Sequence, residues 1–494
     1  MVFSSTVFLF LFLPLVLTLY YAVFLPAQYL ENRFLKATSN IILLVASLFF
    51  YAWGEKFFLI IMLASILTNY LLGLWVDKER DKKSCHWIIA LSVVVNLGLL
   101  AAYKYANFLV DNLNAILSIV GAEPVELAPV HLPIGISFFT FQAMSYVLDV
   151  YRRDGSVQKN PIDVALYISL FPQLIAGPIV RYRDVAAQLV SRVVSLDDFA
   201  FGVRRFVIGL GKKILIANTV AAVADKIFDV PLQHLTPGLA WLGILCYTVQ
   251  IYFDFSGYSD MAIGLGRIFG FRFLENFQWP YIAQSIKEFW RRWHISLSSW
   301  FRDYLYIPLG GNKHSSFRTY FNLLIVFLLC GLWHGASWTF VIWGSYHGFF
   351  LVFERLGFHK WLDRCWRPLR HLYTLIVVII GWVLFRAETL DQAGAMLSAM
   401  AGFAPGKGVV YHVGYYLDGE LAWTLIVGCV FAIPWIPWFC AWREKRLSGS
   451  LSRSAGMADA LLAFGSIVII VLIFVACSMS LSAGTYNPFI YFRF

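Results

Sequence analysis

Long apolar runs recur along this 494-residue chain, and that recurrence constrains the fold more than any single motif does. Stretches long enough to cross about 30 Å of hydrocarbon lie near residues 5–25, 39–53, 57–76, 87–109, 131–150, 206–228, 373–386, 422–440 and 459–480. Shorter or interrupted ones fall near 162–180, 239–270 and 320–353. In hydrocarbon every backbone N–H and C=O must be satisfied within the segment, so such runs are helices. With 60% hydrophobic residues and only 14% charged, an ordinary soluble globule is excluded. An all-α polytopic membrane protein is predicted. No linker, low-complexity tract or repeat divides it, so residues 1–494 read as a single membrane domain. Residues 3–25 have no basic lead-in and no small-residue cleavage site after them, which predicts an uncleaved first helix.

The formal net charge of +10 does not point to nucleic acid, because Lys and Arg gather in short loops beside the apolar spans. The loop from Asp77 to Lys83 is rich in Lys and is assigned to the cytoplasm, whereas residues 110–130 carry acids and neither Lys nor Arg and face outward. Counting spans from there places 181–205, 287–318, 355–370 and 443–453 inside. It leaves 481–494 as an outward-facing aromatic C-terminal tail. Residues 271–318 mix aromatics with Arg, Lys and Asp, as suits interfacial or cytoplasmic helices.

Residues 320–353 break the count, since both flanks are basic. Thirty-four helical residues would extend about 51 Å, too long for one upright span and short for two. A bent or re-entrant hairpin resolves this, with its break at Gly331 to Ser337. That places His334 near the middle of the membrane, reachable from both faces. An ionisable group at such depth is costly unless it lines a wet cavity or has a partner. Its open chemistry is general base catalysis, the neutral imidazole taking a proton from a hydroxyl that attacks an activated acyl group. A histidine that bonds across helices is the structural alternative. His294, in Phe289-Trp290-Arg291-Arg292-Trp293-His294, either holds the other reactant or is structural. His347 is assigned to packing.

Tyr252 to Asp260 is dense in polar groups for an apolar run. Its two carboxylates need donors, with several arginines within twenty residues, and the stretch is either a buried packing network or a polar tunnel lining. Gly264-Leu265-Gly266 has no dinucleotide-binding context and reads as small-residue helix packing, and Gly211-Lys212-Lys213 as a basic helix end. The His359-to-Asp363 spacing sits in a charged loop. The seven scattered cysteines suggest neither zinc nor disulfides, and no motif predicts a bound metal or a serine hydrolase triad. The tail, Asn487 to Phe494, either anchors at the interface or tucks inward and brings Tyr491 toward His334. An adjacent imidazole would then activate the phenol to carry an acyl group.

In order along the chain, Met1 to Ser5, Leu132 to Phe138, Ile175 to Pro178 with Arg181-Tyr182, Tyr252 to Asp260, Phe289 to His294, Arg302 to Tyr306, Gly310 to Asn312 and Gly331 to Gly335 form a set of blocks. The set resembles the membrane-bound O-acyltransferase (MBOAT) family, and within it the branch that O-acetylates alginate. The resemblance implies a ring of about 11–13 transmembrane or re-entrant helices around a central funnel and tunnel. It implies His334 as the catalytic histidine, His294 as its donor-side assistant and Tyr491 as an acyl relay. Asp254, Ser256, Tyr258, Asp260, Trp290, Trp293, Asp303 and Trp333 are the candidate substrate or tunnel-lining residues. The expected enzyme takes acetyl from a cytoplasmic thioester, acetyl-CoA in the simplest case, across a bacterial inner membrane for O-acetylation of an exopolysaccharide. No permanently bound cofactor is expected. Alginate is the first acceptor implied, cellulose the next, and D-alanyl or acetyl transfer to a cell-wall polymer an alternative. A polysaccharide or ion transporter is the reading from another class. A periplasmic SGNH-type acetyltransferase and an exopolysaccharide export complex are the implied partners.

Overall fold

The computed structural model describes residues 1–447 and 453–488. Among these every regular element is a helix, and nine are long and apolar enough to cross a membrane. Shorter helices, including Ile136–Arg152, Trp338–Phe353 and Gly419–Phe431, complete the expected all-α polytopic architecture.

The hub is the helix Pro237–Ile268, started by Pro237 and by the Thr236 hydroxyl, which accepts from the Leu239 N–H. Its 32 residues extend about 48 Å, so it must tilt or overhang the hydrocarbon. Of its most apolar stretch 78% is buried, against 6% in Leu461–Ser482; the first is core and the second faces lipid. The helix Leu196–Gly211 packs along the hub and continues through a π turn, Lys212–Ala217, into Asn218–Phe228. Backbone meets backbone here. A Cβ on Gly209 would stand 2.5 Å from the Gly257 carbonyl oxygen, and one on Gly264 2.6 Å from that of Gly202. Small residues at a membrane helix interface permit this approach, as the glycine spacing predicts.

A second π turn, Ala101–Tyr105, joins Cys85–Leu100 to Ala106–Ile119. The short helix Ile286–Arg292 packs beside the hairpin, and Ile295–Phe301 packs against Ile136–Arg152 through Trp300 on Phe141. The buried Glu354 carboxylate fixes the first, accepting from the N–H groups of Ile286 (2.6 Å) and Lys287 (3.1 Å) at its N-terminus. The first and last described segments meet. Asn487 donates to the Ser4 carbonyl at 2.7 Å and its amide oxygen accepts from Asn218 at 3.1 Å.

Candidate active site

The expected hairpin is present. Its arms are Ser316–His334 and Trp338–Phe353, and the break falls at residues 335–337, within the predicted window. Glycines hold the arms together: a Cβ on Gly331 would stand 2.3 Å from the Phe340 carbonyl oxygen, and one on Gly344 2.3 Å from that of Phe327. The first arm is longer than half-depth entry requires. Its 19 residues extend about 28 Å, close to the full hydrocarbon thickness.

His334 is the last residue of that arm and is buried. Its ring meets Trp333, Trp343 and Phe385 edge-on at centroid distances of 4.9, 5.1 and 5.2 Å, and its Nδ1 has no hydrogen-bond partner. A cavity of about 290 Å³ reaches it, lined also by Glu55, Lys104, His131, Ser137 and Trp333. A second of about 520 Å³ is lined by Lys104, Gln250, Gly335, Ser337, Arg386 and Pro488. Lys104 belongs to both walls.

His294 lies behind Trp333, with ring centroids 6.2 Å apart. Its backbone is left-handed (φ 44°), unusual for a residue with a side chain. The side chain is nonetheless fixed. Asn276 Oδ1 accepts from the Ser296 N–H and hydroxyl at 3.1 and 2.9 Å, so it is the amide oxygen, and the His294 Nδ1 at 3.1 Å must donate to it. Nε2 therefore carries the lone pair, and it has no partner. Burial pushes this imidazole down to about 3, so it is neutral. One indole thus packs against two buried imidazoles.

The sequence profile of the membrane-bound O-acyltransferase family matches residues 128–390, more than half of the chain and inclusive of both histidines. A protein named "Probable alginate O-acetylase AlgI" in Azotobacter vinelandii is 46% identical, with both chains covered in full. One of the same name in Pseudomonas aeruginosa is 52% identical over 82% of this chain and 75% of its own. "Peptidoglycan O-acetyltransferase" of Helicobacter pylori is 37% identical over 81% of this chain and 80% of its own. The chain belongs to the membrane-bound O-acyltransferase family.

As an MBOAT protein it is a multi-pass membrane O-acyltransferase. Of the predicted lining residues, Trp333 borders a cavity described above. Trp290 packs edge-on against Trp343 and His347, and Trp293 packs edge-on against Phe277 and at a tilt against Trp382. His347 is wholly buried among these rings, as a packing residue would be. Ser256 is buried, and Tyr258 stacks on Phe3 at 4.5 Å. The carboxylates of the hub find donors, but not among the arginines near them in sequence. Asp254 pairs with Lys213 at 2.9 Å, and Asp260 with Arg205 and Lys212, both at 2.7 Å. Asp303 is shared by Arg181 (2.6 Å), Arg183 (2.5 Å) and Arg302 (2.7 Å). Tyr491 lies outside the described residues.

Sequence reasoning passed over Lys104, Asp225 and Arg386. The last two form a buried pair at 2.8 Å beside the second cavity, and Tyr486 donates to Asp225 at 2.7 Å. Each sits within a membrane span. The rule that singled out His334, that an intramembrane ionisable residue has a task, would have found all three.

Proposed function

We propose that this MBOAT enzyme moves acetyl from a cytoplasmic thioester, acetyl-CoA in the simplest case, across the inner membrane to O-acetylate alginate, with His334 as general base. One observation carries it: a buried imidazole with an unpartnered Nδ1 stands on a cavity wall, with a neutral second imidazole packed on the same Trp333 indole. The attacking hydroxyl oxygen bonds to the acyl carbon while His334 takes its proton. The carbon–sulfur bond then breaks and the proton passes to the leaving thiolate. Thioester to ester transfer needs no ATP. The free Nε2 of His294 suits a hydrogen-bond acceptor for the donor side.

Alginate is favoured as acceptor by relatives at 46–52% identity bearing that name, over the 37% relative named for peptidoglycan. The same names support a place in alginate modification with other proteins; in this reading a periplasmic SGNH-type acetyltransferase, implied by the family resemblance alone, finishes the transfer. In this reading Tyr491 carries acetyl outward. Its support is the preceding segment: Tyr486 and Asn487 are bonded to buried groups, and Pro488 borders the second cavity.

His334→Ala should lower thiol release from acetyl-CoA, and polymer acetylation in cells, by about 100-fold or more at normal membrane levels. Unchanged acetylation would sink the mechanism. Tyr491→Phe removes one oxygen; full activity in that variant would eliminate the relay.

A further inference from the structure

An α-helix leaves its last four carbonyls without intrahelical partners. In roughly a third to a half of helices a residue in the left-handed region, usually glycine, turns the chain back to cap them. The arm that ends in His334 does not do this. Gly335 is extended, with φ −161° and ψ 150°, and its N–H reaches only the Gly331 carbonyl, at 3.2 Å. The other three carbonyls are satisfied from a different span. Tyr105 donates its hydroxyl to Leu332 at 2.7 Å, and the Lys104 amine donates to Trp333 at 2.5 Å and to His334 at 3.1 Å. The third Lys104 N–H points to the Ser137 hydroxyl at 3.4 Å. Three acceptors for one nitrogen match an ammonium, the only form with three N–H donors.

We propose that Lys104 and Tyr105 are positioning residues: a clamp that caps the catalytic helix from outside and sets the place and tilt of the His334 imidazole. This rests on His334 being the base. Three features fit the clamp. The two residues are consecutive and close the π turn Ala101–Tyr105, where one extra residue shifts which side chains share a face. Lys104 forms no ion pair among the described residues; its charge lies on the negative end of the helix dipole instead. It also stands in the wall shared by both cavities, where a displaced helix end would alter the approach of either reactant.

The test is kinetic, in purified full-length protein, with thiol release from acetyl-CoA as the rate and a melting temperature for each variant. Lys104→Met keeps length and removes the charge and donors; it should lower kcat about 10- to 100-fold, the cost of a displaced reacting group. KM for acetyl-CoA should stay within about two-fold, since a clamp on the base does not bind the donor. Lys104→Arg should recover most of that loss. Tyr105→Phe, which preserves packing, should lower kcat about three-fold, as one neutral hydrogen bond allows. The clamp is overturned if Lys104→Met turns over like the unaltered enzyme while His334→Ala is inactive. It is equally overturned if Arg recovers no more than Met, or if Tyr105→Phe leaves kcat unchanged in a folded protein. Equal thiol release with and without His334 would instead remove the base, and the clamp with it.

Discussion

Two stretches of the membrane interior carry a lysine on a π turn, and they meet its cost by opposite means. At Lys212–Ala217, Lys213 faces the Asp254 carboxylate at 2.9 Å and donates to the Pro488 carbonyl. At Ala101–Tyr105, Lys104 has no carboxylate and rests on the carbonyls of a helix end. A carboxylate supplies a full countercharge but must itself be desolvated. A helix end supplies about half a charge, from groups that are already buried and otherwise orphaned. The first arrangement ties two core helices. The second transmits position, because its carbonyls belong to the helix that ends in His334.

Breaking the first arrangement should have the largest effect on stability. Asp254→Ala takes the facing carboxylate from the buried Lys213 ammonium and should cost about 3–5 kcal/mol, read as a lower melting temperature of purified protein and less protein in the membrane. Replacing both partners, Lys213→Met with Asp254→Leu, should restore most of that stability; a double variant as unstable as the single one would erase the contrast. Asp303 tests a third arrangement, one carboxylate shared by three guanidinium groups. Burial raises its pKa, but the Arg302 hydrogen bond and the charges of Arg302, Arg181 and Arg183 outweigh that and hold it below the usual carboxylate range. Its contribution is therefore fully present above the unfolded pKa, about 4, and is lost as pH falls through the lower folded value. Asp303→Asn should cost about 1–3 kcal/mol at pH 7, with the gap from the unaltered protein closing below about pH 4. A constant gap across that range would contradict the pairing. The smallest effect belongs to Tyr486→Phe, about 1 kcal/mol, since Asp225 keeps Arg386 at 2.8 Å.

The helical architecture and the hairpin were legible because run length and flanking charge are local quantities. Tyr252 to Asp260 was not. Its polar density read as an interruption, yet Pro237–Ile268 is continuous, because Lys213, Arg205 and Lys212 approach its carboxylates from a neighbouring helix. Chain-local reasoning looked for donors within twenty residues, and tertiary packing brought them from forty or more away. His334 was legible as a cost in an apolar run, whereas the length of its arm was not, because the helix starts at Ser316, four residues before the run, and so comes near full span length. Nothing in the residues of either π turn announces an extra residue per turn. Lys104 needed no structure to be noticed, only the same question asked of every charge in an apolar run.

The bond between Asn487 and Ser4 crosses 483 positions of chain. Ser4 leaves the ribosome that many residues ahead of its partner, so the first span must be handed to the lipid and wait there through the insertion of nearly everything else. This contact is therefore a late step of biogenesis. A chain stalled before its last helix would hold both histidines and still lack the contact that joins Asn487 to Ser4.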